Sequence, residues 1–153
     1  MEAALDLPGQ PVKRGTMAHD HDVTMLLAEA AAQLGDAAAL AHYAPRLAEL
    51  AGRDDHKLYL PIAQRALGVA ARLSGDHAEA EAQFGRALEA FQQMGARWQA
   101  GRALVELGEL ALARSNAASA REAFTQALAA FEEVRAAPDA DRARARLASI
   151  ESG

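Results

Sequence analysis

The densest group of potential metal ligands in this sequence is the run His19-Asp20-His21-Asp22. Imidazole and carboxylate groups are common ligands of divalent metals. A metal site also needs rigid neighbours that orient its ligands through further hydrogen bonds. The run lies in an opening stretch that contains Pro8, Pro11 and Gly15, which we expect to be flexible. We therefore interpret it as part of a solvated leader and predict no metal site.

A second polar group, His56 beside Asp54 and Asp55, could take part in acid–base chemistry. We place this trio in an exposed loop, where such residues are common. The sequence has no Gly-x-Ser-x-Gly nucleophile motif and neither of the glycine-rich phosphate-binding motifs. Cysteine is absent, which excludes a cysteine nucleophile and a thiolate zinc site. We predict that the protein is not an enzyme and has no cofactor.

The composition favours a single all-α domain. The chain has 153 residues, the size of one ordinary domain. Hydrophobic residues make up 51% of it but aromatic residues only 5%, and alanine supplies much of the difference. Alanine is the best intrinsic helix former, so the bias is toward helix.

Charge and hydropathy disfavour two classes of partner, nucleic acids and membranes. The net charge is −5, and basic residues are interspersed with acidic ones, so the basic cluster that nucleic-acid binding needs is missing. No stretch approaches the 18 apolar residues of a membrane span. Residues 1–22 lack the apolar core of a signal peptide. Together with the absence of cysteine, this predicts a cytoplasmic protein that binds neither nucleic acid nor membrane.

An internal repeat appears when the chain is shifted by 40 residues. The coinciding positions are Leu67-Gly68 with Leu107-Gly108, Ala80 with Ala120, Phe84 with Phe124, Ala87-Leu88 with Ala127-Leu128, and Phe91 with Phe131. Turn signals recur at the same interval, in the pairs Gly35-Asp36, Gly75-Asp76 and Ser115-Asn116. The apolar residues between turns follow a helical period. Each unit is therefore predicted to be a helix, a tight turn and an antiparallel second helix.

We predict a flexible leader over 1–22 and a repeat domain over 23–153, with units at about 23–56, 57–96 and 97–137 and a capping helix at 139–151. The first unit is degenerate, and its register is open. Its core sites are either Leu27, Ala28, Leu40, Ala44 and Leu47, or Tyr43, Leu47 and Leu50 if the second helix is slipped by one. In the capping helix we expect Arg142, Arg144 and Arg146 to face outward and keep the end of the stack soluble.

The order Leu107, Gly108, Ala120, Phe124, Ala127 resembles the tetratricopeptide repeat family, as does its copy 40 residues earlier. The resemblance implies a right-handed α-solenoid of about three antiparallel helix pairs plus a C-terminal capping helix. In it the glycine of the first helix would face the alanine of the second, with the phenylalanine filling the adjoining gap. The unit of 40 residues is longer than the family's usual unit of about 34. Longer units of this kind are similar to helical regions of bacterial transcription activators and signalling proteins.

The resemblance also implies a concave groove, lined by the first helices, that holds a protein or peptide. With Gly68 and Gly108 at the eighth position of their units, the groove residues are Ile62, Arg65, Val69, Arg72, Leu73, Arg102, Val105, Glu109 and Leu112. Three arginines beside apolar side chains would suit a segment with acidic and apolar residues. The alternative is that these arginines are solvated and pair with Glu106 or Glu109.

We therefore predict a non-catalytic interaction module that acts as an adaptor. One alternative is an oligomerisation or regulatory segment of a bacterial transcription or signalling system, and another is a helical domain that binds a small molecule or acts as an enzyme. A short stack leaves apolar ends, so a homodimer through the first unit or the capping helix also competes. Trp98 could cover the neighbouring unit or anchor a partner.

Overall fold

The computed structural model describes residues 13–53 and 57–152, and side chains from residue 22 onward. These residues form the helices α1 (Lys13–Leu34), α2 (Ala37–Arg53), α3 (Tyr59–Leu73), α4 (His77–Met94), α5 (Arg97–Ala113), α6 (Ala117–Glu133) and α7 (Ala137–Ser152). Each helix packs on the next one along the chain, and α3 also touches α1 and α5. The all-α stack of antiparallel helix pairs predicted from the sequence is confirmed. We call α1, α3 and α5 the first helices of their pairs, and α2, α4 and α6 the second helices.

Helix α1 begins earlier than we expected. We assigned residues 1–22 to a flexible leader, but the segment 13–22 is helical. Residues 13–22 are mostly polar and have no apolar residues at a helical spacing. The sequence pattern therefore did not predict this N-terminal extension of α1. The side chains of His19 to His21 and the whole trio 54–56 lie outside the described residues, so their interpretation stays a prediction.

The turn inside each helix pair is built in the same way three times. The residues are Gly35-Asp36, Gly75-Asp76 and Ser115-Asn116. The first residue has a positive φ of 66°, 87° or 58°, the left-handed conformation that ends helices. The amide of the second residue donates to the carbonyl five positions back at 2.8–2.9 Å. Its side chain accepts from the amide three positions ahead at 3.1–3.2 Å, which caps the next helix. The predicted turns are confirmed.

Within the second and third pairs, a phenylalanine ring lies directly on a glycine. A Cβ atom at Gly68 would be 2.5 Å from the ring of Phe84, and one at Gly108 would be 2.7 Å from the ring of Phe124. We expected these glycines to face alanine, with the ring beside them. The ring itself covers the glycine, because only a bare backbone leaves room for it at this helix separation. Gly101 accommodates Phe131 in the same way, and we missed it because position 61 of the previous unit is proline.

The first pair solves the same packing problem with smaller groups. Ala28 stands where Gly68 and Gly108 stand in the later units, and Ala44 stands where they have phenylalanine. Both alanines are fully buried. Leu40, Ala44 and Leu47 are fully buried as well, whereas Tyr43 is half-buried. The burial of the second helix favours the unslipped alternative. However, Leu27, which that alternative placed in the core, is 39% exposed, and Leu50 of the slipped alternative is also buried.

The glycine–phenylalanine contact predicts opposite effects of the same substitution at two helical glycines. Gly108→Ala should destabilise the protein by about 1–3 kcal/mol, because the new methyl group must displace the Phe124 ring. Gly85→Ala should stabilise it by about 0.5–1 kcal/mol, since nothing lies within 4 Å of that site and alanine is the better helix former. Urea unfolding followed by circular dichroism measures both. Equal effects at the two positions would contradict this packing.

Candidate functional site

One carboxylate connects the three first helices on the inner face of the stack. Glu29 of α1 accepts from Nη2 of Arg65 in α3 at 2.6 Å and from Nη1 of Arg102 in α5 at 2.7 Å. Each carboxylate oxygen thus binds one guanidinium. Asp22 attaches α1 at a second point, where it accepts a 2.5 Å hydrogen bond from the Tyr59 hydroxyl. That bond, with burial, raises the pKa of Tyr59 to about 12.

Arg65 is completely buried. Its Nη1 donates to the side-chain oxygen of Gln99 at 2.7 Å and to the backbone carbonyl of the same residue at 3.3 Å, and its guanidinium lies 5.3 Å from the ring centre of Phe91. Burial lowers the pKa of Arg65, and the charge of Glu29 acts in the opposite direction. Arginine keeps its charge at physiological pH even so. The core of the stack therefore contains a permanent cation that depends on Glu29.

This ion pair corrects part of the predicted groove. We expected Arg65 and Val69 to line an open surface, but both are fully buried, and Arg102 is only 8% exposed. The first helices approach one another closely enough for Glu29 to reach both arginines, which closes this half of the inner face. Arg65 and Arg102 do lie on the same side of the stack, as we expected, but they bind an internal carboxylate.

Arg72 and Glu106 form a further pair beside it, with 3.6 Å between Nη2 and Oε1. Burial raises the pKa of Glu106, and the neighbouring Arg72 and Arg102 act in the opposite direction. Pairing of a groove arginine with Glu106 was the alternative that we considered for a solvated surface. The structure shows it in a largely buried setting, since the two side chains are 23% and 13% exposed.

The other half of the inner face is open. A cavity of about 310 Å³ lies between α5 and α7, and we call it the α5–α7 cleft. Its lining residues are Gln33, Arg102, Val105, Glu106, Glu109, Phe131, Asp139, Arg142, Ala143, Ala145 and Arg146. Of the predicted groove residues it includes Arg102, Val105 and Glu109, whereas Arg72 and Leu112 lie outside its lining.

Two arginines of α7 face this cleft, although we expected them on the outer surface. Arg146 donates from Nε and Nη2 to the two carboxylate oxygens of Glu109, both at 2.8 Å. Arg142 lines the cleft and pairs with Asp139 at 2.5 Å. Only Arg144 has the predicted outward placement, where it pairs with Glu132. The inward position of Arg142 could have been predicted, because a shift of 40 residues aligns it with Arg102 of the groove.

Trp98 joins α5 to α7. Its indole Nε1 donates to Asp139 at 2.9 Å, and the guanidinium of Arg102 lies 5.3 Å from its ring centre. This supports the structural interpretation of Trp98, which holds α7 in place and thereby shapes the cleft.

The side chain of Arg142 is the most accessible cation of the cleft, at 72% exposed. A shift of 40 residues aligns Arg142 with Arg102, and Arg102 binds Glu29, a residue of the unit two before its own. Two units before α7, the position of Glu29 is occupied by the buried Val69. Arg142 instead pairs with Asp139 of its own helix, whose side chain is 18% exposed.

Within the described part of the chain, no three His, Asp or Glu side chains come together as metal ligands would. Nor does any helix there have the length and apolar character needed to cross a membrane. The charged groups that line the cleft are arginines and carboxylates, each of them in an ion pair.

Comparison with protein-family models matches residues 59–133 to the tetratricopeptide repeat. The matched segment runs from the start of α3 to the end of α6, and so covers the second and third helix pairs. No curated protein sequence matches the chain.

The buried position of Glu29 predicts an unusually large effect for an ion-pair substitution. Glu29→Ala should destabilise the protein by about 3 kcal/mol, because it leaves Arg65 buried without its counter-charge. Glu81→Ala removes the partner of Arg114 from a pair that is exposed on both sides, and should change stability by less than about 0.5 kcal/mol. Denaturant unfolding of the two variants provides the comparison. A loss at Glu29 no larger than at Glu81 would contradict the role of this carboxylate.

Proposed function

We propose that this chain, whose residues 59–133 belong to the tetratricopeptide repeat family, is a non-catalytic module that binds a segment of another protein in the α5–α7 cleft. Tetratricopeptide repeats generally mediate protein–protein interactions. The observation that carries the proposal is the open cleft on the same inner face as the first helices, with apolar side chains and the 72% exposed Arg142 in its lining.

The cleft is suited to a large apolar side chain. Val105, Phe131 and Ala143 contribute apolar surface to its wall. Its volume of about 310 Å³ is at the lower end of the range for ligand pockets, roughly 300–1,000 Å³. We infer that it receives one or two side chains of a longer segment, whose backbone runs across the inner face.

Arg142 favours an acidic residue next to that apolar one. Its guanidinium is 72% exposed, and its pair with Asp139 lies within one helix turn. Asp139, at 18% exposed, also accepts from Trp98, so it keeps a hydrogen bond when Arg142 turns to a partner carboxylate. Arg102 contributes positive potential from the side, although its own pair with Glu29 is largely buried. The proposed partner is thus a protein segment with adjacent acidic and apolar residues, as we expected for the groove, but bound nearer to the C-terminal end of the stack.

The setting of this interaction is also a proposal. A cytoplasmic location rests on the cysteine-free sequence, and a bacterial signalling or transcription context rests on the long repeat unit. Small-molecule binding or catalysis is less well supported, because the cleft is open and its arginines and carboxylates are paired with one another.

Selection from a random peptide library provides the test. Peptides retained by the protein should share an acidic residue next to a large apolar one. With a fluorescein-labelled peptide of this type, Arg142→Glu should weaken binding about tenfold or more, which is about 1.4 kcal/mol. The fluorescence anisotropy of the labelled peptide measures the dissociation constant.

Arg144→Glu is the matched control. It makes the same charge change two residues away in α7, on the outward side where Arg144 pairs with Glu132. We expect its affinity for the peptide to stay within about twofold of the unmodified protein, since rim charges far from the contact act only through screened fields. Equal weakening by both variants, or a library without the acidic and apolar pattern, would contradict the proposed site.

A further inference from the structure

Helix α1 carries an apolar stripe on its exposed side. Val23, Leu26, Leu27 and Leu34 are 37%, 61%, 39% and 81% exposed, and Ala30 between them is exposed as well. At 3.6 residues per turn these five side chains fall within about 100° of the helix circumference. We call them the α1 stripe. Its spacing, 4-3-4 from Val23 through Leu27 and Ala30 to Leu34, is that of a seam between two paired helices.

The later units bury or half-bury the equivalents of most of these residues, although Ser74 and Arg114, at the position of Leu34, are exposed. A shift of 40 residues takes three positions of the stripe to Ala63, Leu67 and Ala70 in α3 and to Ala103, Leu107 and Leu110 in α5. Ala63 and Ala103 are fully buried, and Leu110 is 2% exposed. Helix α3 packs on α2 and helix α5 on α4, the second helices of the preceding pairs. In the described residues α1 packs on α2 and α3, so it lacks the neighbour that covers this face elsewhere.

The opposite end of the stack has the reverse character. A shift of 40 residues aligns Gly101 and Leu104 of α5 with Asp141 and Arg144 of α7. These two charged side chains are 74% and 50% exposed. An α1 stripe that docked there would have to bury these charges, at a cost of several kcal/mol for each ion. Head-to-tail growth of the stack is therefore disfavoured.

We propose that the α1 stripe is a homotypic interface, in which it packs against the same stripe of a second copy of this chain across a twofold axis. A twofold contact pairs a surface with itself, so an apolar stripe is automatically complementary. No charged residue lies among the five residues of the stripe. The acidic residues nearest its edge are Asp22, which accepts from the Tyr59 hydroxyl, and Glu29, which is turned toward Arg65 and Arg102. Two copies can thus meet without opposing like charges.

The interface is a single helix face, smaller than the roughly 1,200–2,000 Å² of a typical stable complex, so we expect a weak dimer. Sedimentation of the unmodified protein should show the mean mass rising from 16.1 kDa toward twice that value between about 5 μM and 500 μM. The double variant Leu26→Glu/Leu34→Glu should stay at 16.1 kDa over the same range, because it places four like charges in the seam of each pair. Circular dichroism verifies that this variant is folded.

The matched control is Met94→Glu/Val134→Glu. These residues are each 41% exposed; Met94 is the last residue of α4, and Val134 directly follows α6. This variant should associate as the unmodified protein does. A protein that remains monomeric at every concentration, growth beyond two copies, or equal dissociation of both double variants would overturn the proposal.

Cross-linking through one introduced cysteine tests the proposed interface while Leu26 and Leu34 of the α1 stripe stay unchanged. The chain has no cysteine, so a single introduced thiol reports on its own surroundings. Ala30→Cys should form a covalent dimer on mild oxidation, because both copies place this residue in the seam. Ala129→Cys, an equally small exposed residue on α6, should not. Cross-linking at both positions to the same extent, or at neither, would show that copies do not meet through α1.

Discussion

A buried guanidinium sets the arrangement of the first helices. Arg65 has no exposed surface and cannot lose its charge at physiological pH, so the stack needs a counter-charge within reach. Glu29 supplies it from α1 and binds Arg102 of α5 with its other oxygen. The positions of three helices are therefore coupled through one carboxylate. An apolar contact could slide by several tenths of an ångström, but two charge-assisted hydrogen bonds define one register.

The same repeat position has a different chemical role in each unit, and this divides the inner face. The position of Glu29 is occupied by Val69 in the second unit and by Glu109 in the third. Glu29 closes the first half of the face, whereas Glu109 binds Arg146 at the edge of the α5–α7 cleft. Because Val69 offers no carboxylate, Arg142 remains mostly exposed. The glutamate-to-valine difference between units thus coincides with an accessible cation in the open half.

The features that could be predicted from the sequence are those determined by local or periodic patterns. The turns at Gly75-Asp76 and its equivalents follow from the conformations and caps that these residue types prefer. The buried rings of Phe84 and Phe124 follow from the 40-residue repeat. The burial of Arg65 could not be predicted, since arginine is mostly exposed in proteins and its partner is 36 residues away. The cleft depends on contacts between α5 and α7, such as Trp98 with Asp139, that no short-range pattern contains.

Two faces of helix α1 have different roles. One face carries Glu29 and completes the inner surface, and the other carries the apolar stripe. A dimer formed through that stripe would carry two α5–α7 clefts, each lined in part by Gln33, the neighbour of Leu34 in the stripe. Two clefts on one particle raise the effective concentration of the second site for a partner with two matching segments. Weak binding in each cleft would then suffice for firm capture of such a partner, whereas a monomer would release it quickly.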